Sequence, residues 1–214
     1  MWALKHSHKR EDQPHQMLYK ELRHGRRRRK RGNYCGNRGC IPNRVSIESR
    51  TTVVEKRSRI GDMEVDLMPG KDHQPGLMVI TDRSTLRTSL VKIKTKASRY
   101  IASSIIRKLK PCESWIKTLT YDNYLAFAAH ATVNKKLNTK SFFTHPYTSE
   151  EKGTVENRIG VLRKFFPKKT DFTLITARRV SQVEKMINER PVRKFQYQTP
   201  NAIFLQKSKV ALIT

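Results

Sequence analysis

Asp62-Met63-Glu64-Val65-Asp66-Leu67 alternates acidic and apolar residues without a break. Successive side chains on a β-strand point to opposite faces, so the segment predicts a strand with Met63, Val65 and Leu67 on one face and Asp62, Glu64 and Asp66 on the other. A row of like charges on the first strand of a buried sheet is costly unless it lies at an open edge or a cation binds there. The same alternation also suits an ordinary solvent-facing strand. The choice between the two depends on what the rest of the chain supplies.

Downstream, residues 76–82 form an apolar run ending in a polar turn, and residues 88–95 alternate again, which predicts an antiparallel meander of three strands. Residues 98–110 place Ile101, Ile105 and Leu109 at helical spacing between a Ser98 cap and the stop at Pro111. Residues 116–121 read as a fourth strand, 125–137 as a second helix and 141–144 as a short fifth strand closed by His145-Pro146. A third helix over 154–166 ends at Pro167. A fourth, over 177–189, carries Val180, Val183 and Ile187 on one face and stops at Pro191. The order β-β-β-α-β-α-β-α predicts one α/β domain.

Charge narrows the partners. Against 18 acids stand 45 Lys and Arg, a net charge of +27, so the chain repels itself unless a polyanion screens it. Nucleic acid is that polyanion, because the chain holds no apolar run of about 18 residues and no long amphipathic stretch for a membrane. Residues 1–60 carry +12 and residues 61–214 carry +15, so the basicity is not confined to a tail. Arg26, Arg27, Arg28, Arg29, Lys30 and Arg31 form a dense run among glycines, which reads as a flexible basic arm for phosphates. A solubilising or localisation run has the same composition. Cys35, Cys40 and Cys112 are an odd number that suits free thiols in a reducing cytoplasm, and with His24 the first two fall short of the four ligands of a structural zinc. Met1-Trp2-Ala3-Leu4 lacks the apolar core of a signal peptide.

Two further acids join Asp66. Asp122 follows the fourth strand at its carboxyl end, where open α/β sheets place ligand groups, although Asp-Asn before a helix is also a common cap. Glu156, 34 positions later, lies one turn into the third helix, where its other role is interaction with the helix dipole. Together the three acids make the site expected for two divalent metals about 3.5–4 Å apart, which promote an in-line phosphoryl displacement. Oxygen-only ligands suit Mg2+ or Mn2+ rather than zinc.

These residues resemble the catalytic domain of DDE transposases of the insertion sequence thirty family, whose cores share the RNase H-like fold of retroviral integrases. The likeness spans roughly residues 17–206. It is carried by Ile41-Pro42-Asn43-Arg44-Val45-Ser46-Ile47, by Arg57-Ser58-Arg59-Ile60-Gly61-Asp62, and by Pro146-Tyr147 ahead of Gly153-Thr154-Val155-Glu156-Asn157. Asn188-Glu189-Arg190-Pro191 and Tyr197-Gln198-Thr199-Pro200 complete it. The family usually has Trp at Met63, Gly at Val65 and Gly at Tyr124, and a Gly there allows a positive φ that Tyr adopts only with strain. Its members are commonly longer at the amino end, where a helix-turn-helix region reads the element's terminal repeats. The chain is therefore expected to be amino-terminally truncated.

The resemblance implies an RNase H-like α/β fold with a five-stranded mixed sheet flanked by helices. It assigns residues 1–57 to a basic extended arm and linker, 58–206 to the catalytic core and 207–214 to a tail. Asp66, Asp122 and Glu156 become the catalytic ligands of two Mg2+ or Mn2+ ions, with Asn123 and Asn157 orienting the site. Lys152, Arg158, Arg163 and Lys164 flank the third acid and, with the arginine run, are expected on DNA phosphates; a solvated helix face is the other reading of each. The implied activity is metal-dependent cleavage at transposon ends, then attack of the freed 3′ hydroxyl on target DNA, by a homo-oligomer on DNA near the nucleoid of a bacterial cytoplasm, with no membrane partner. The alternative is a non-catalytic DNA-binding remnant that inhibits or regulates full-length transposase.

Overall fold

A computed structural model describes residues 41–73, 76–145 and 149–211 of the chain. Its strands are β1 (Asp62–Met68), β2 (Leu77–Asp82), β3 (Thr88–Lys92), β4 (Thr118–Tyr121) and β5 (Lys140–Phe143). They form a single sheet in the order β3-β2-β1-β4-β5. The first three pair antiparallel as the expected meander, whereas β4 joins β1, and β5 joins β4, in parallel. The sheet is therefore mixed, with β1 at its centre.

Helices cover both faces. α1 (Ser98–Leu109) and α2 (His130–Leu137) carry Ile101, Ile105, Val133 and Leu137 onto the face that bears Met63, Val65, Ile80 and Leu119. α3 (Gly153–Leu162) and α4 (Ala177–Glu189) carry Val155, Leu162, Val180, Val183 and Ile187 onto the opposite face, against Met68, Leu77, Val79 and Leu90. Period-2 strands and period-3.6 helices thus bury their apolar sides in two cores separated by the sheet. Among the described residues no helix is long and apolar enough to cross a membrane.

Several elements depart from expectation. α3 ends at Leu162 rather than at residue 166. The helix expected over 125–137 is divided: Leu125–Phe127 is a 3-10 turn, Ala129 leaves the helical region at φ −87°, ψ 21°, and α2 starts at His130. Ser98 is the first helical residue of α1 rather than its cap, which is Ala97. A further helix, α5 (Pro200–Ala211), was not expected; its Phe204 packs edge-on against Trp115 and lies under the guanidinium of Arg87.

The chain ahead of β1 is tied to the same sheet. Phe143 donates its backbone N–H to Val45 at 2.9 Å, Arg50 reaches Thr120 at 3.4 Å, and Val54 is buried in a single helical turn, Thr52–Glu55. Gly61 then sets the start of β1. Its φ is +93°, and a Cβ there would lie 1.7 Å from the Trp115 carbonyl oxygen. Only glycine fits that position.

Candidate active site

Parallel pairing of β1 and β4 brings two of the three acids together. Asp62 is level with Thr118 and Glu64 with Thr120, so two residues further along Asp66 comes level with Asp122, just past the end of β4. The two carboxylates share one cation: the Lys152 ammonium lies 3.2 Å from Asp66 Oδ2 and 3.8 Å from Asp122 Oδ2. Each acid is also held by backbone. Asp66 Oδ1 accepts the Leu67 N–H at 2.7 Å, and Asp122 Oδ1 accepts the Tyr124 N–H at 3.3 Å. Burial raises the Asp122 pKa above the usual carboxylate value; Lys152 opposes the rise and Asp66 adds to it.

The other two acids of the row are neutralised elsewhere. Asp62 accepts two bonds from the Arg59 guanidinium at 2.9 and 3.0 Å and one from the Thr118 hydroxyl at 2.8 Å. Glu64 takes the Arg83 guanidinium at 2.7 Å and the Val155 N–H at 2.8 Å. Both side chains are fully buried, whereas that of Asp66 keeps 17% of its surface and that of Asp122 40%. The row is therefore neither an open edge nor a solvent face. Arginines meet the first two charges, and only Asp66 faces the cation position.

Glu156 projects from the first turn of α3, one turn after Lys152, and is half-buried. Its carboxylate takes no hydrogen bond or ion pair among the described residues. Val155, its neighbour, is the residue that Glu64 anchors to β1. Asn123 holds the Asp122 loop: it accepts from Arg44 at 2.6 Å and donates to the Thr144 carbonyl at 2.5 Å. Asn157 is exposed on α3. Tyr124 sits at φ −90°, ψ 134°, an extended conformation open to any residue, so its place after Asp-Asn carries no strain.

Two of the residues expected on phosphates have protein partners instead in this structure. Arg158 is only 6% exposed and bonds the Thr88 hydroxyl at 3.1 Å and the Ile187 carbonyl at 3.2 Å, fastening α3 to β3 and α4. Burial, and secondly the Arg190 charge, bring its pKa down to about 10. Lys152 is also buried and spends its charge on the two acids. Arg163 is half-buried beside the carbonyls of Pro69 and Pro167 at 3.5 and 3.4 Å, and Lys164 is exposed. Residues 26–31 lie outside the described residues.

Sequence reasoning missed the Arg59 and Arg83 counterions. A signal was present: Arg59 and Arg83 each lie within a few residues of a strand end, and three acids on one covered strand face require basic partners. Pro146 and Tyr147 of the quoted motif also fall outside the described residues.

Asp66 and Asp122 offer oxygen donors on one point already held by a cation, the chemistry that a Mg2+ or Mn2+ ion also meets. Among the described residues no three His, Cys, Asp or Glu side chains stand close enough together to enclose a metal. The pair fits a divalent ion as two ligands, and Glu156 lies one turn after Lys152, the residue that holds them.

No family model matches the chain. It is 38% identical over 190 residues to the transposase for insertion sequence element IS4351 of Bacteroides fragilis, an alignment covering 88% of this chain and 58% of that relative. It is 30% identical over 185 residues to transposase InsI for insertion sequence element IS30A of Escherichia coli strain K12, covering 85% of this chain and 47% of that one. The chain thus spans about half the length of these curated relatives. Among solved structures it is similar to the catalytic core domain of BIV integrase, with a TM-score of 0.51, 16% identity, and coverage of 71% of this chain and 98% of that one. The fold is that of the RNase H-like integrase cores.

Proposed function

Because this chain is homologous, over most of its own length, to insertion-sequence transposases that include those of IS30, we propose that it acts as a transposase catalytic core that cuts and rejoins DNA strands. The observation that carries this reading is the pair Asp66 and Asp122, two carboxylates from adjacent parallel strand ends converging on one cation in a chain of net charge +27. Asp66 and Asp122 would hold divalent Mg2+ or Mn2+, with Glu156 the third ligand. A bound ion supplies an activated water or hydroxyl and stabilises the leaving oxygen of a phosphodiester.

The rest is done by the chain itself. Asn123 holds the Asp122 loop against Thr144, and Glu64 anchors to β1 the start of α3, the helix that carries Glu156. Lys164, Arg163 and the arginine run at residues 26–31 would hold the phosphates, a sequence-independent attraction that falls steeply with salt. The substrates would be transposon ends and target DNA, handled by a homo-oligomer.

Nicking and strand transfer on end-containing DNA with Mg2+ or Mn2+, alongside Glu156→Ala, test this reading. Removal of a metal ligand at such a site is expected to lower the rate by about 10²-fold or more, the size of effect typical when one stabilising group of a reacting centre is lost. Activity that survives Glu156→Ala would sink the assigned site. DNA binding without cleavage by the intact chain would leave a binding protein in place of an enzyme.

A further inference from the structure

Lys152 belongs to none of the roles so far given to the catalytic acids. It ends the loop ahead of α3 as the helix cap, its side chain is only 4% exposed, and its ammonium lies within 3.2 and 3.8 Å of oxygens from two different elements. A surface lysine reaching for phosphate has no reason to be buried, and a buried lysine is seldom placed between two acids that a second cation also needs. One point cannot hold both charges.

We propose that Lys152 is a built-in counterion that occupies the position of the divalent metal in the free protein and is displaced when metal and DNA bind together. This inference rests on the metal-site reading above. With Lys152 in place, Asp66 and Asp122 carry −2 against +1. A divalent ion brings the pair to zero and sets the ammonium free, one turn before Glu156, to meet a phosphate of the DNA that the site is to cut. Lys152 thus acts as a positioning residue, screening the repulsion between the two acids and holding them on one point until substrate arrives. The coupling is reciprocal by necessity: DNA that attracts the freed ammonium must raise metal affinity by the factor by which metal raises DNA affinity.

Titration of the full chain with Mn2+ by calorimetry, with and without a short DNA duplex, tests it against Lys152→Met and Lys152→Gln, with thermal unfolding to establish that each variant folds. Without DNA, either variant is expected to bind Mn2+ about tenfold or more tightly than the parent chain, a difference of about 1.4 kcal/mol for each factor of ten. DNA should then tighten Mn2+ binding in the parent chain and do so far less in the variants. Equal Mn2+ affinity in parent and folded variant, abolished in each by Asp66→Asn, overturns the counterion and leaves the metal site standing. Absence of any Mn2+ binding that depends on Asp66 overturns both.

Discussion

An ionised carboxylate inside a protein persists only where something offsets its lost hydration. Asp62 and Glu64 have arginines, and Asp66 and Asp122 have one lysine between them. Asp122 is only partly offset, since burial raises its pKa by more than Lys152 lowers it. The folded chain therefore holds the Asp122 proton more tightly than the unfolded chain does. The stability this residue contributes is fully present below the unfolded value of about 4 and is lost as pH rises through the folded one. In metal-free buffer, Asp122→Asn should match the parent chain's melting temperature below that value and exceed it at neutral pH. A gap of the same size at both pH values contradicts the assignment. Alternation in the sequence put the acids of β1 on one face, but it was blind to the arginine partners 3 and 19 positions away, so only the motif separated Asp66 from its neighbours.

At the scale of elements, the buried pair of Glu64 and Arg83 joins β1 to the end of β2, and the same carboxylate accepts the first-turn N–H of Val155, which locks α3 to the sheet. Glu64→Ala leaves the Arg83 charge buried with only its 3.4 Å contact to Glu55, and should cost about 3–5 kcal/mol in chemical denaturation. Replacing both residues by Met should cost much less, and a loss under about 1 kcal/mol for Glu64→Ala alone would show the pair to be incidental. The elements themselves were largely legible, because each strand and long helix buries a face with a clear period. α4 falls on its expected residues, 177–189. The divided helix after Asp122 was not legible: a 3-10 turn over three residues differs too little from an α-helix in its apolar spacing, and Phe127 and His130 on either side of the break pack on Tyr121 and Phe143. α5 was missed because its docking depends on Trp115 and Arg87, both distant in sequence.

At the scale of the whole molecule, a strongly basic sequence carries a pair of acids on one point of its described core. A net charge of +27 favours a polyanionic partner such as the proposed DNA, and Asp66 and Asp122 set two acids against one ammonium within that basic chain. Sequence alone named both acids; that they meet on one ammonium came only from the parallel pairing of β1 and β4, and burial gives Arg158 protein partners in place of an expected phosphate contact while tying the Lys152 ammonium to the two acids. The account stands or falls on whether a divalent ion enters there. Crystals of the chain with DNA and Mn2+, read by anomalous scattering, test this most directly. The prediction is a manganese peak within about 2.0–2.2 Å of oxygens of Asp66 and Asp122, near the distance at which small octahedral cations are held, with Glu156 drawn toward it and Lys152 withdrawn. A saturated crystal whose manganese lies elsewhere, with Lys152 still between the two acids, would contradict it.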